Sequence, residues 1–255
     1  MKWHAQEKRY KSPLRAMRTA GMLAVLAGLL AGCLYPGGEQ GQDRKVSYLE
    51  SVERIQNAVD RFQADRTILP IITAGQETPR YEKFVIDLNL LQQQGFLDEI
   101  PATAFEKGGS AYFLLLNEEV DPTVKVMDLE TVQKVNDVQR LVDQFARAHD
   151  GKLPALGEQE TYPGLYTVDL ELAGAGKYGL NSVYSGQPLN FIVDQAGRVY
   201  ADYAPDIMLA VEKSGETPQD GEDLREVLTA ASYFAPVKSL PYHWVDGSPV
   251  PQPES

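Results

Sequence analysis

Only one of the 255 residues is cysteine, three are histidine and two are tryptophan. One thiol forms no internal disulfide. With no second cysteine and no histidine pair at ligand spacing, the chain offers no nitrogen–sulfur set for zinc. No G-x-S-x-G turn marks a nucleophilic serine either. Cations are scarce too. The formal net charge is −12, and residues 1–32 alone contribute +5, so the remainder carries −17. Such a body repels phosphate polymers, which argues against nucleic acid as a partner. No apolar run reaches the roughly 20 residues of a permanent membrane-spanning helix. What is present, 43% hydrophobic and 24% charged residues, is the composition of a globular protein. At this length a sizeable core needs no disulfide or metal staple.

The apolar run that does occur extends from Ala20 to Leu30. A basic region, Lys2 to Arg18, precedes it, and Ala31, Gly32 and Cys33 follow. Basic, apolar, then small is the order of a secretory signal. Leu30-Ala31-Gly32-Cys33 resembles the lipobox of bacterial lipoproteins. That resemblance implies signal-peptidase recognition of Leu30, Ala31 and Gly32, cleavage before Cys33, and diacylglycerol on the Cys33 sulfur. Each buried methylene contributes about 0.8 kcal/mol, and two acyl chains anchor stably where one is marginal. The expected location is the extracytoplasmic face of the cell membrane, with membrane lipid as the first partner through Cys33. Residues 33–47, rich in Gly and polar groups, read as a flexible tether of about 45 Å when fully extended.

The rest of the chain repeats itself at an offset near 83 residues. Ile55-Gln56-Asn57-Ala58-Val59-Asp60-Arg61-Phe62 matches Val138-Gln139-Arg140-Leu141-Val142-Asp143-Gln144-Phe145. Leu69-Pro70 matches Leu153-Pro154, Gln76-Glu77-Thr78 matches Gln159-Glu160-Thr161, and Val85-Ile86-Asp87-Leu88 answers Thr167-Val168-Asp169-Leu170. This colinear series predicts two related modules, 48–129 and 130–213. Each opens with a helix. Val52, Ile55, Val59 and Phe62 form one helical stripe; Val132, Val135, Val138, Leu141, Val142 and Phe145 form the other. Asp128 or Thr131 is expected to cap the second helix, and His149-Asp150-Gly151 to end it. Hairpins follow at 111–116 with 123–127, and at 189–193 with 198–203, where Gly197 supplies a positive φ. Residues 214–240 read as an acidic loop and a C-terminal helix from Gly221 to Phe234. Residues 241–255, with Pro241, Pro249, Pro251 and Pro253, read as an extended or disordered tail. Helix then antiparallel hairpin, twice, plus a C-terminal helix, is an α+β organisation.

Few residues carry chemistry. Gly174-Ala175-Gly176-Lys177-Tyr178-Gly179 has dinucleotide-binding spacing, but loop-forming residues follow where that site needs a helix N-terminus. No cofactor is therefore expected. His149 is placed at a helix C-terminus, whose dipole favours an imidazolium. His149 or His243 could still join a spatially assembled triad. Asp87 and Asp169 occupy equivalent module positions; they either share a cleft that binds a cation or amine, or cap local turns. Tyr162, Tyr166, Tyr178, Tyr184, Tyr200 and Tyr203 concentrate in the second module, as suits a recognition face or a half-buried sheet.

With the repeat and the stretch Gly95-Phe96-Leu97-Asp98-Glu99-Ile100-Pro101-Ala102-Thr103-Ala104-Phe105-Glu106-Lys107-Gly108-Gly109 in view, the chain resembles lipoproteins of Bacillus-type, Gram-positive bacteria. Some of those are labelled transporter-associated binding proteins. The resemblance implies an outer-leaflet location. The leading expectation is a non-enzymatic binding or structural module of the envelope, with another envelope protein as partner. A solute-binding lipoprotein of a membrane transporter comes second, and an extracytoplasmic hydrolase third.

Overall fold

In the computed structural model, residues 39–253 apart from Glu216 are described, with side chains from Ser47 onward. Met1–Val46 and Ser47–Ser255 form separate units, and of the first only the backbone of residues 39–46 is described. Helix α1 (Glu39–Arg66) already includes residues 39–47, expected as tether. Glu39, Gln40, Gln42, Asp43, Arg44 and Lys45 are compatible with a helix, and burial of the stripe they lead into offsets the entropy of extending it. Tyr48, Ser51, Ile55, Ala58, Val59 and Phe62 are the residues that stripe buries, at spacings of three and four.

The chain leaves α1 through Leu69-Pro70 and runs past α2 (Arg80–Lys83) and α3 (Leu88–Gln93) to β1 (Ala111–Leu116) and β2 (Thr123–Asp128). The two strands pair antiparallel, Ala111 opposite Asp128 and Leu116 opposite Thr123. Phe113 and Leu115 face the cluster around Ile55 and Phe62, whereas Leu114 and Leu116 face a second cluster with Tyr81 and Val237. Cover on both faces is why β1 reads as an unbroken apolar run rather than an alternation.

Helix α4 (Leu129–Ala148) follows β2 without a loop. Asp128 is both the last strand residue and the N-cap: its Oδ2 accepts from Thr131 N at 2.9 Å and Thr131 Oγ1 at 2.7 Å. The far end closes as the Asp-Gly pair suggests, with Gly151 at φ 82° donating to Ala146 O. Val135, Val138 and Val142 bury its stripe against a three-stranded sheet of β3 (Leu165–Thr167), β6 (Phe191–Asp194) and β7 (Val199–Ala201), in the order β3-β6-β7. Strands β4 (Leu180–Asn181) and β5 (Pro188–Leu189) make a small separate ladder.

Hydrogen bonds of the first half recur in the second. Asp87 N donates to Pro70 O and Asp169 N to Pro154 O. Ile86 N donates to Phe113 O, and Val168 N to Phe191 O. Gln56 accepts from Val124 N at 2.7 Å and donates to Pro122 O at 2.9 Å; Gln139 accepts from Val199 N and donates to Gly197 O, both at 2.7 Å. Each glutamine amide thus acts as a short strand on an otherwise open sheet edge.

Further along those same two edges, the C-terminal part of the chain takes over. Val126 N donates to Tyr233 O, Ala235 N to Val126 O, and Ala201 N to Lys238 O. The segment from Tyr233 to Lys238 therefore joins β2 of the first half to β7 of the second.

Two further elements differ from expectation. The C-terminal helix is shorter than Gly221–Phe234: α6 covers Arg225–Ala231, because Asp223 folds back on Arg225 and the chain turns extended at Ser232 to pair with β2. Before it lies α5 (Ala204–Ser214), opened by Pro205 and closed by Gly215 at φ 69°. The proline-rich tail is also an ordered hairpin up to Pro251, with β8 (Tyr242–Val245) paired to β9 (Ser248–Pro251). Asp246 and Gly247, at φ 49° and 83°, form the tight turn. Pro249 and Pro251 lie opposite Trp244 and Tyr242, the alternate pairs whose amides point away from the partner strand, so no ladder bond is lost.

Candidate functional site

A groove of about 630 Å³ opens where β2, α2, α5 and α6 converge. Alternation along Thr123-Val124-Lys125-Val126 buries the valines and turns Thr123 and Lys125 outward into it. Lys125 Nζ donates to Thr229 O at 2.6 Å and Ser232 O at 2.8 Å, the carbonyls at the C-terminal end of α6. A cation suits that end of a helix dipole. Burial depresses the Lys125 ammonium below its usual value. On the other side, Arg80 Nη1 meets Glu226 Oε1 at 2.9 Å. Glu222 also lines the groove and, among the described residues, accepts only from the Gln219 amide, at 3.3 Å. A second hollow of about 520 Å³ shares Thr123, Lys125 and Ala230 and is walled by Leu49 and Val52 of α1. The volume of the main groove falls in the usual ligand-site range of about 300–1,000 Å³.

A buried polar network joins the ends of α5, α6 and β8. Asp202 accepts from Tyr162 OH at 3.0 Å, Tyr242 OH at 3.1 Å and Ala204 N at 3.0 Å, and burial raises its carboxyl above the usual range. Burial alone would also raise Asp223, but the bidentate Arg225 guanidinium, at 3.0 and 2.7 Å, more than offsets it and holds Asp223 low. Arg225 also donates to Ser239 O at 3.1 Å and lies over the Tyr81 ring, whose phenol burial pushes up to about 12. These bonds fasten α5, α6 and β8 together and so fix the groove wall. The Asp206 carboxylate and the Tyr81 hydroxyl are buried in this region with no hydrogen-bond partner among the described residues.

The residues singled out from sequence are not assembled here. Leu30, Ala31, Gly32 and Cys33 lie outside the described residues. Asp87 Oδ1 accepts from Leu90 N and Asp169 Oδ1 from Leu172 N, each at 2.9 Å, so both cap the turn that follows them. Neither lines the main groove or the second hollow. Among the described residues no cluster of three or more His, Cys, Asp or Glu has metal-site geometry. Gly174–Gly179 is a turn, with Ala175 buried and donating to Leu170 O. His149 stacks on Phe145 at 3.9 Å, with Nδ1 2.8 Å from Phe145 O, and His243 lies in β8. Tyr203 is fully buried, and the other five tyrosines of the second half are half-buried, serving the core at least in part.

Reasoning from sequence missed Arg80, Lys125, Glu222 and Glu226. Lys125 alone carried a signal, as a lone cation alternating with buried valines.

Fold and groove together define an α+β protein with a mixed-charge cleft beside a two-stranded ladder. Residues 48–128 match the model of the YphF family N-terminal domain, a stretch that ends on the N-cap of α4. No curated protein and no solved structure matches the chain. Among the described residues no helix is long and apolar enough to cross a membrane.

Proposed function

We propose that this chain is a lipid-anchored, non-enzymatic binding module on the extracytoplasmic face of the cell membrane of a Bacillus-type bacterium. The observation that carries the reading is the sequence of the N-terminus, basic to Arg18, apolar to Leu30, then Ala31-Gly32-Cys33. A body of net charge −17 is repelled by anionic headgroups, so a covalent anchor is needed to keep it at the surface. The recurrence of the Gln56 bonds at Gln139 supports the further reading that the two halves are copies of one unit, fused across the Tyr233–Lys238 segment.

A solute-binding role is the second reading, favoured by the 630 Å³ groove with charges of both signs on its walls. Replacing Cys33 with Ser tests the anchor. The wild-type chain should sediment with membranes and be cleaved by protease added to intact cells, while the Cys33→Ser chain should lose its membrane attachment through lipid. Equal detergent-phase partitioning of both chains would refute lipidation.

A further inference from the structure

We propose that the groove between β2 and α6 binds a zwitterionic short peptide, its carboxylate on Lys125 and its terminal ammonium on Glu222; this rests on the binding-module reading above. The groove walls hold two cations, Arg80 and Lys125, and two carboxylates, Glu222 and Glu226. Arg80 and Glu226 neutralise each other at 2.9 Å. Lys125 and Glu222 do not: Lys125 is held by two backbone carbonyls and Glu222 by one backbone amide, and neither has an ion-pair partner among the described residues. One of the three N–H donors of Lys125 is left over, as is a carboxylate oxygen of Glu222.

Two opposite charges without ion-pair partners among the described residues, lining one groove, are complementary to a ligand that carries both signs at its two ends. The described residues of the groove wall sum to a formal charge of zero, so a net-neutral zwitterion escapes the repulsion that the −17 body exerts on polyanions. A volume of about 630 Å³ exceeds what one amino acid fills, which points to a peptide of several residues. Thr123, Asn117 and Gln219 lie along the same walls, where hydroxyl and amide groups can pair with peptide backbone. Among the described residues no aromatic ring lines the main groove to stack on a sugar.

The probe is tri-alanine, titrated calorimetrically into the full chain in mild detergent, beside its N-acetyl, C-amide and doubly capped forms. Tri-alanine should bind, and capping either end should weaken it about tenfold or more. In Glu222→Gln, whose side chain is exposed and makes no ion pair, the free and N-acetyl forms should bind within twofold of each other. Lys125→Met should likewise equalise the free and C-amide forms. That variant uncaps α6, so Glu222→Gln carries the test if it fails to fold. Equal binding of the doubly capped peptide would overturn the zwitterion inference while leaving a peptide groove. Absence of any binding at millimolar peptide would overturn it as well. Failure of the underlying reading is read separately, by the membrane retention of the wild-type chain.

Discussion

Replacing Gln56 or Gln139 with leucine removes the same two backbone hydrogen bonds from each half of the protein. Gln56 accepts from Val124 N and donates to Pro122 O; Gln139 accepts from Val199 N and donates to Gly197 O. Leucine keeps the volume but leaves an edge amide and an edge carbonyl without their partner. A net hydrogen bond contributes about 0.5–1.5 kcal/mol, so each single variant should lose about 1–3 kcal/mol. Both sites are part-buried and water reaches them, which favours the lower half of that range. The two glutamines sit on different helices, α1 and α4, over different clusters. Their effects should therefore add to within about 0.5 kcal/mol in the double variant. For a body of this size each kcal/mol lowers Tm by about 2–4 °C. Urea and thermal unfolding followed by circular dichroism read all three values. A loss below about 0.3 kcal/mol at either site would refute the edge role. A large loss at one site and none at the other would refute their equivalence.

Two further outcomes follow from the buried network and from one tight turn. Because burial raises the folded-state Asp202 carboxyl, its stabilisation is complete below the unfolded value of about 3.9 and is lost as pH rises through the folded one. Asp202→Asn should therefore gain on the wild type as pH rises above the unfolded value, levelling off once the folded carboxyl is ionised, in chemical denaturation; a pH-independent difference would contradict the assignment. Gly109 donates to Ala104 O, and a Cβ there would overlap the Thr103 carbonyl. Gly109→Ala should cost about 3 kcal/mol or more, whereas Gly179→Ala, with open space around it and no positive φ, should stay within about 1 kcal/mol; similar losses for both would count against the packing.

Local signals made part of this fold legible. Apolar runs rich in β-branched and aromatic residues, split by turn residues, gave both hairpins, and Asp128 with Gly151 bracketed α4, because strand pairing and caps depend on neighbours in sequence. Helix α5 was within reach as well: Pro205 at its start, Ile207 and Val211 on one face, and Gly215 just past its end are standard helix signals. So was the terminal hairpin, whose Asp246-Gly247 turn was outweighed by four prolines, of which the two inside β9 fall on harmless alternate positions. The groove was not legible. Arg80, Lys125 and Glu222 come from three distant segments, brought together by the docking of Tyr233–Lys238 between β2 and β7 and by the Lys125 and Arg80 contacts to α6. That segment has no periodicity of its own; its conformation is set by the two edges that it completes.

Intact mass and N-terminal peptide analysis of the natively expressed protein tests the lipid anchor most directly. The predicted result is a chain that begins at Cys33 and carries a diacylglyceryl thioether on that sulfur. A chain that retains residues before Cys33, or a Cys33 with a free thiol, would contradict it.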